Sequence, residues 1–200
     1  MLLCSEILIA IYRFLPLLQN RLYMAKLYIN KDIVADKDKM ENWYLTGEEG
    51  LSFPDIQNFL SWIDPNDHVI DIEIHSCGGD AVEGYAIYDA LRASGKQISC
   101  TAVGRCASMA TVILLAAAKE RRFAYPHAKF LIHKPYMASY DGDLDLETLE
   151  SIKSNLESEK NKMLALYVER TGSEASVIEA QMNKAGWFGG ETAKQLGFIT

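Results

Sequence analysis

Apolar residues recur along the chain with two different periods, which predict alternating strands and helices. Residues 26–34 alternate β-branched or aromatic residues with polar ones, and residues 69–74 form a short apolar run, as strands do. Between them, apolar residues follow helical spacing at Phe53, Ile56, Phe59, Leu60 and Ile63. Strands that alternate with helices in this way predict βαβ units and a mainly parallel sheet.

The same patterns predict the remaining elements. Helices are expected over 80–94, 144–171, 174–182 and 191–196, and strands over 97–103, 121–125 and 129–133. The polar stretch 35–50 is predicted to be a connection. The long helix over 144–171 is charged except for a one-sided apolar stripe formed by Leu149, Ile152, Leu156, Met163 and Tyr167. This stripe is typical of an ordinary surface helix that lies on the core, and it is also consistent with packing against another chain.

Residues 1–23 differ in composition from the rest of the chain. Their apolar run is interrupted by Glu6 and Arg13 and broken by Pro16, so it is too short and too charged for a transmembrane helix. It also lacks the positive start of a secretory signal. We therefore predict an N-terminal extension over 1–23, upstream of a natural start at Met24, and one domain over 24–200. An amphipathic helix that docks on a neighbour is the alternative for the extension.

Composition and charge narrow the classes of function. With 49% hydrophobic and 24% charged residues, the chain has the composition of a soluble globular protein. The net charge of -7 argues against nucleic acid or an anionic membrane as a partner. The four cysteines make no zinc pattern, so no metal is expected, and they fit a reducing cytoplasm.

Two residues suggest nucleophilic chemistry. Ser108 is expected where a loop turns into a helix, because residues 111–118 are apolar and contain few breakers. Unpaired backbone N–H groups at such a turn can stabilise an oxyanion. His133 ends a short strand-like run and can act as a base toward a serine hydroxyl. The plain alternatives are a helix N-cap for the serine and a structural role for the histidine.

A glycine pair follows the predicted strand over 69–74. Gly78 and Gly79 let the backbone approach a ligand closely with an N–H pointing outward, although an ordinary tight turn is the alternative. A phosphate-binding role is poorly supported, because neither the dinucleotide fingerprint nor the Walker pattern is present.

Three motifs, in this order, resemble the proteolytic subunit of the Clp protease, and in particular its shorter, phage-associated ClpP-like branch. They are Ile-Glu-Ile-His-Ser-Cys-Gly-Gly-Asp-Ala at 72–81, Gly-Arg-Cys-Ala-Ser-Met-Ala at 104–110 and Phe-Leu-Ile-His-Lys-Pro at 130–135. The resemblance implies an α/β fold, the ClpP/crotonase-like spiral of ββα units with a protruding handle helix. It also implies Ser108 as nucleophile, His133 as general base, and the N–H groups of Gly79 and Met109 as the oxyanion hole.

The resemblance implies a serine endopeptidase of the cytoplasm that needs no metal or organic cofactor. A polypeptide substrate would bind as an extended strand along 80–82 and 134–137. The chain would form a homo-oligomer of heptameric rings, commonly two stacked rings, with the handle over 144–171 between them. An ATP-driven unfoldase is the implied partner. Any ATP use would belong to that other chain, because this sequence has no nucleotide-binding motif.

The third position of the catalytic triad departs from the family. In the family, an acidic residue precedes an aromatic–hydrophobic pair, and here Ala185 stands at that position before Trp187 and Phe188. Alanine cannot accept a hydrogen bond from the imidazole, and Asn183 is the nearest substitute. Three interpretations remain open: a weak dyad enzyme, an enzyme with a substituted third residue, and an inactive homologue or scaffold.

Other functions are weaker alternatives. A crotonase-like acyl-CoA enzyme would share the oxyanion hole, but the serine–histidine pair disfavours it. Cys77 and Cys106 flank the expected site, so a thiol nucleophile is a minor alternative. If the chain has a phage origin, capsid maturation would replace general protein turnover.

Overall fold

Five strands form one sheet in the computed structural model, which describes residues 24–137, 140 and 142–200. The strands are β1 (Met24–Ile29), β2 (Val69–Ser76), β3 (Gln97–Ala107), β4 (Arg122–Ala124) and β5 (Lys129–Leu131). They run in the order β1-β2-β3-β4, β5 also pairs with β3, and every one of these pairings is parallel. The alternating apolar periods therefore predicted the parallel sheet correctly, and the α/β class is confirmed.

Seven α-helices lie in the part of the chain that the structure describes. They are α1 (Lys39–Thr46), α2 (Phe53–Trp62), α3 (Ala81–Ala93), α4 (Met109–Leu114), α5 (Leu146–Thr171), α6 (Ala175–Lys184) and α7 (Gly190–Gln195). Within this described part, no helix is long and apolar enough to cross a membrane. The predicted extension over 1–23 lies outside the described residues, so the division at Met24 stays a prediction.

Strand β3 serves two halves of the sheet. Residues Cys100–Ala102 pair with β4, whereas Arg105–Ala107 pair with β5. Between these two segments the register of β3 against β2 shifts, from Ile74 opposite Ala102 to Ser76 opposite Cys106. The irregular residues of β3 include Gly104, against which the imidazole of His75 lies so closely that a side chain there would collide with it. Because of this shift, the first part of β3 pairs with β4, and its last part, just before Ser108, pairs with β5.

Several element boundaries differ from the prediction; β1 ends at Ile29 rather than residue 34, and β5 ends at Leu131 rather than residue 133. β3 continues to Ala107, beyond the expected end at residue 103, because Gly104 accommodates an irregularity in the strand rather than ending it. Ser108 therefore follows a strand directly and not a loop. In the stretch 35–50, predicted to be a connection, α1 forms and ends at Gly47, which has the left-handed backbone of a helix stop.

The core lies around α4, whose six residues are all buried. Isoleucines of the sheet and aromatic residues from the C-terminal region complete it; these are Ile29, Ile70, Ile72, Ile74, Phe130, Tyr167 and Phe198. α5 contributes only its C-terminal part, since its buried residues are Met163, Tyr167 and Thr171. The first half of α5 therefore extends away from the core.

Arg122 is a buried cation that joins the ends of several elements. It is only 1% exposed, and its guanidinium donates to the carbonyl oxygens of Ala117 at 2.9 Å and Arg170 at 2.8 Å. Burial lowers the pKa of Arg122 to about 10. The buried guanidinium is tolerated because it donates hydrogen bonds to carbonyl groups that need a partner, just beyond the end of α4 and in the last turn of α5. The helix dipole favours positive charge at these helix ends.

Replacement of this arginine should destabilise the fold. We expect Arg122→Met to lower the free energy of unfolding by about 3 kcal/mol, because similar volume is kept while buried carbonyl groups lose their donors. Urea denaturation at equilibrium measures the change. The matched control is Arg92→Met on the exposed surface of α3, which should shift stability by less than about 0.5 kcal/mol. Equal stability of the two variants would contradict the structural role of Arg122.

Candidate active site

Ser108 is the single residue between β3 and α4, and its backbone is strained. Its φ of 52° and ψ of -126° define a conformation that residues with a side chain rarely adopt. The Ser108 N–H donates to the carbonyl oxygen of Leu131 at 2.9 Å, which ties the turn to the end of β5. A sharp strand-to-helix turn of this kind projects a serine hydroxyl from the edge of a sheet, as a nucleophile elbow does.

A hydrogen-bonded chain from α5 holds this turn in place. The carbonyl oxygen of Ser108 accepts from the Thr111 N–H at 2.9 Å and from the Thr111 hydroxyl at 2.6 Å. The Thr111 hydroxyl lies 2.7 Å from the phenol oxygen of Tyr167, and both side chains are completely buried. Because the threonine proton is directed to Ser108, Tyr167 is the donor in the second bond. Burial raises the pKa of Tyr167, which keeps its phenol protonated for that role.

The glycine pair lies directly against this turn. Gly78 and Gly79 both have positive φ, 87° and 145°. A Cβ atom added to Gly78 would lie 2.7 Å from the nitrogen of Met109 and 2.8 Å from Cβ of Ser108. A Cβ atom on Gly79 would overlap the carbonyl of Ile33. Only glycine fits at either position, because backbone from a different segment closes on each one.

The N–H groups of Gly79 and Met109 have no hydrogen-bond acceptor within the described part of the chain. Ile33 donates to the carbonyl oxygen of Gly78 at 2.8 Å and accepts from the N–H of Asp80 at 2.8 Å, which fixes the glycine loop while leaving the Gly79 N–H unused. Two fixed donors close to a serine side chain are the arrangement that can stabilise a tetrahedral oxyanion. The structure therefore brings together three of the predicted site residues.

His133 lies two residues beyond the end of β5. Its strand is held beside that of Ser108, because Leu131 pairs with Ala107. The imidazole Nδ1 lies 2.6 Å from the carbonyl oxygen of Lys134, and the ring packs against that of Tyr136 with 5.4 Å between centroids. No hydrogen bond joins the Ser108 hydroxyl to His133 among the residues the structure describes. Ser108 and His133 therefore follow the ends of neighbouring strands, but no hydrogen bond joins their side chains in the described part of the chain.

Ala185 is exposed and ends α6, with a left-handed backbone at φ 47° and ψ 36°. The backbones of Phe130 and Phe188 form an antiparallel bridge, with N–H to carbonyl distances of 2.8 and 2.9 Å. Counting three residues forward from Phe130 and three back from Phe188 reaches His133 and Ala185, on the same side of this bridge. The residue at position 185, which the resemblance matches to the acidic triad member, carries only a methyl group.

Asn183, the predicted substitute, lies in the last turn of α6 and is exposed. It makes no hydrogen bond with His133 in the portion of the chain that is described. The structure therefore does not bring Asn183 to the imidazole.

The cysteines offer little chemistry. Burial raises the pKa of the Cys106 thiol well above its ordinary value and that of Cys100 to about 12, so neither is a thiolate near neutral pH. Cys77 is exposed beside Gly78. Over residues 24–200, apart from the three not described, no group of three His, Cys, Asp or Glu side chains could hold a metal ion.

A groove of about 440 Å³ runs between the segment after His133 and α5. Its apolar lining comes from Pro135, Leu149, Ile152 and Leu156, and its charged lining from Lys134, Lys153, Glu157 and Lys160. The groove begins at the predicted substrate segment 134–137, of which Tyr136 is 71% exposed.

The Thr111–Tyr167 hydrogen bond was not predicted from the sequence. Thr111 was included in the apolar run over 111–118, and Tyr167 was placed in the apolar stripe of the long helix. A hydroxyl in an otherwise apolar buried helix was the available signal, because such a group needs a partner.

Comparison with known proteins identifies relatives of the chain. A family model described as Clp protease matches residues 55–200. The "ATP-dependent Clp protease proteolytic subunit 1" of Chlamydia abortus is 30% identical over 145 residues, which cover 70% of this chain and 72% of the relative. The protein of the same name from Protochlamydia amoebophila is 28% identical, with 70% of this chain and 68% of the relative covered.

Among solved structures, a ClpP1 point mutant from Listeria monocytogenes superimposes with a TM-score of 0.69. The alignment covers 91% of this chain and 93% of the other, at 21% sequence identity. This similarity confirms the fold that the three sequence motifs implied.

The support of Ser108 by Thr111 can be tested by stability. We expect Thr111→Val to lower the free energy of unfolding by about 2 kcal/mol, because the Ser108 carbonyl loses a donor and the buried Tyr167 phenol loses its acceptor. Thr111→Ser keeps the hydroxyl and should retain most of the stability. Urea denaturation compares the two variants. A serine variant as unstable as the valine variant would show that the hydroxyl does not contribute.

Proposed function

Because the chain belongs to the Clp protease family, we propose that it hydrolyses peptide bonds with Ser108 as the nucleophile. The observation that carries this proposal is the strained backbone of Ser108 next to the two unpaired N–H groups of Gly79 and Met109. The printed name of the chlamydial relative, a proteolytic subunit, supports the same class of reaction.

In the proposed mechanism, the Ser108 hydroxyl attacks the scissile carbonyl carbon while His133 Nε2 accepts the hydroxyl proton. The carbonyl oxygen becomes an oxyanion that the Gly79 and Met109 N–H groups bind. His133 returns the proton to the leaving amine, and a water then hydrolyses the acyl-enzyme by the same steps. The Ser108–His133 hydrogen bond would form with substrate bound, as catalytic hydrogen bonds often tighten only in the complex.

The proposed substrate is a polypeptide in extended conformation. Residues 134–137, which follow His133 and form no helix or strand, would pair with the substrate backbone, because edge pairing supplies affinity without requiring one sequence. Residues 80–82 were expected to pair in the same way, but Asp80 caps α3 and Ala81 and Val82 lie in its first turn, so they cannot form a strand pair. Val82 is 77% exposed, which leaves its side chain available to contact the substrate. No step of this mechanism uses a metal or an organic cofactor.

The exposed half of α5 supports a ring assembly. Leu149 is 48% exposed, and Ile152 and Leu156 are only partly buried. They belong to the same apolar stripe as Met163 and Tyr167, which are buried farther along the helix. An apolar stripe of this length on a charged helix is typical of a helix that packs against another subunit. We propose a cytoplasmic homo-oligomer of heptameric rings with α5 as the handle, served by an ATP-driven unfoldase on a separate chain.

A non-catalytic scaffold is the second candidate, and Ala185 is the observation that favours it. Loss of the triad acid costs about 10⁴ in rate where it has been measured. The intact Ser108 turn and glycine loop favour an enzyme instead, because a scaffold has no need of a strained serine.

A fluorophosphonate probe distinguishes these two candidates. We expect slow labelling of the parent protein, no labelling of Ser108→Ala, and labelling at least about tenfold faster after Ala185→Asp, because a carboxylate would orient and stabilise the imidazole. In-gel fluorescence over time gives the labelling rate.

The outcomes have different meanings for the two candidates. Labelling that persists in Ser108→Ala would overturn the assignment of the nucleophile. A lack of labelling in both the parent and Ala185→Asp, when both are assembled, would favour the scaffold.

The handle can be tested separately from catalysis. We expect Ile152→Asp to shift the protein to smaller species in sedimentation velocity, because a charge would be buried between subunits. Ser151→Asp places the same charge on the exposed neighbouring position of α5 and should leave the assembly unchanged. Identical sedimentation of the parent and Ile152→Asp would count against α5 as an assembly surface.

A further inference from the structure

We propose that the backbone carbonyl of Lys134 replaces the missing triad carboxylate as the acceptor for His133. This inference rests on the proposed function, in which His133 is the base. The imidazole Nδ1 lies 2.6 Å from the Lys134 carbonyl oxygen, well within hydrogen-bond distance. Lys134 is therefore a positioning residue that acts through its main chain, and its side chain is not involved.

The partner atom determines where the imidazole proton lies. A carbonyl oxygen can only accept a hydrogen bond, so Nδ1 must carry the proton. In a neutral imidazole the other nitrogen, Nε2, then has a free lone pair. This is the tautomer that a base needs in order to accept the Ser108 proton, and it is the one that the triad acid normally selects.

The local sequence holds the carbonyl in place. Pro135 follows Lys134, and a residue before proline is restricted to extended backbone conformations, which limits the directions of its carbonyl group. The ring of Tyr136 packs against the imidazole at 5.4 Å between centroids and limits rotation of His133. Four consecutive residues, 133–136, thus position the imidazole without help from a distant part of the chain.

A carbonyl and a carboxylate differ in one respect. Both can fix the tautomer, but the neutral carbonyl stabilises the positive imidazolium of the transition state less than a negative carboxylate does. With this arrangement the imidazole is correctly oriented, but we expect the reaction to be slow. Ala185 leaves the carboxylate position vacant, so nothing in the described part of the chain competes with Lys134 for Nδ1.

The tautomer can be measured without any catalysis. Solid-state ¹⁵N NMR of the assembled protein, labelled at histidine, is recorded at about pH 9, where an ordinary histidine is neutral. The chain has only four histidines, and His133→Gln identifies the signals of His133 by their loss. We expect a protonated Nδ1 and an unprotonated Nε2. A protonated Nε2 would overturn the inference whether or not the protein cleaves peptides.

A double-mutant experiment tests the effect on reactivity. We expect Pro135→Ala to slow fluorophosphonate labelling of Ser108 about tenfold, a part of the 10²–10⁴ that a positioned base contributes. In the Ala185→Asp background the same substitution should slow labelling less than about twofold, because the new carboxylate would hold Nδ1. Pro126→Ala, in the exposed turn between β4 and β5, is the matched control and should have no effect in either background.

The two proposals fail in different ways. Equal slowing by Pro135→Ala in both backgrounds would overturn the role of the Lys134 carbonyl and leave Ser108 as the nucleophile. A lack of Ser108-dependent labelling in every variant would overturn the proposed function, while the NMR result would still decide the hydrogen bond.

Discussion

The backbone strain at Ser108 is the constraint on which the rest of the site depends. A conformation of this kind costs about 1–3 kcal/mol and persists only where its surroundings determine it completely. Here β3 fixes the residue before the serine, and α4, with all six residues buried, fixes the one after it. The Thr111 hydroxyl, which is itself hydrogen-bonded to Tyr167, then secures the carbonyl group of Ser108. The serine is thus oriented by the core itself and not by a mobile loop.

The candidate site has two parts with different dependence on side chains. The serine turn and the two N–H donors are assembled from main-chain contacts among Ile33, the glycine pair and the start of α4. Most substitutions elsewhere leave such contacts intact. The orientation of His133, in contrast, depends on contacts of its side chain. In the proposed mechanism, alanine at position 185 therefore affects only the proposed base and leaves Ser108 and the two N–H donors in place.

The sequence predicted elements and motifs better than it predicted contacts. Periodicity gave the parallel sheet because strand and helix periods differ clearly. The continuation of β3 past Gly104 was missed, since the imidazole of His75 that lies there comes from another strand. The Thr111–Tyr167 bond was missed because it joins residues 56 positions apart. The Lys134 carbonyl could not be predicted at all, because every residue has a carbonyl and only the conformation decides which one faces an imidazole.

Helix α5 belongs both to the core and to the exposed surface. At 1.5 Å per residue, Leu149 lies about 27 Å along the helix axis from Tyr167. One continuous helix thus joins an exposed apolar surface to the tyrosine that supports the Ser108 turn through Thr111. A substitution at its outer end and one at its inner end therefore act on different parts of the protein, although both lie on the same element.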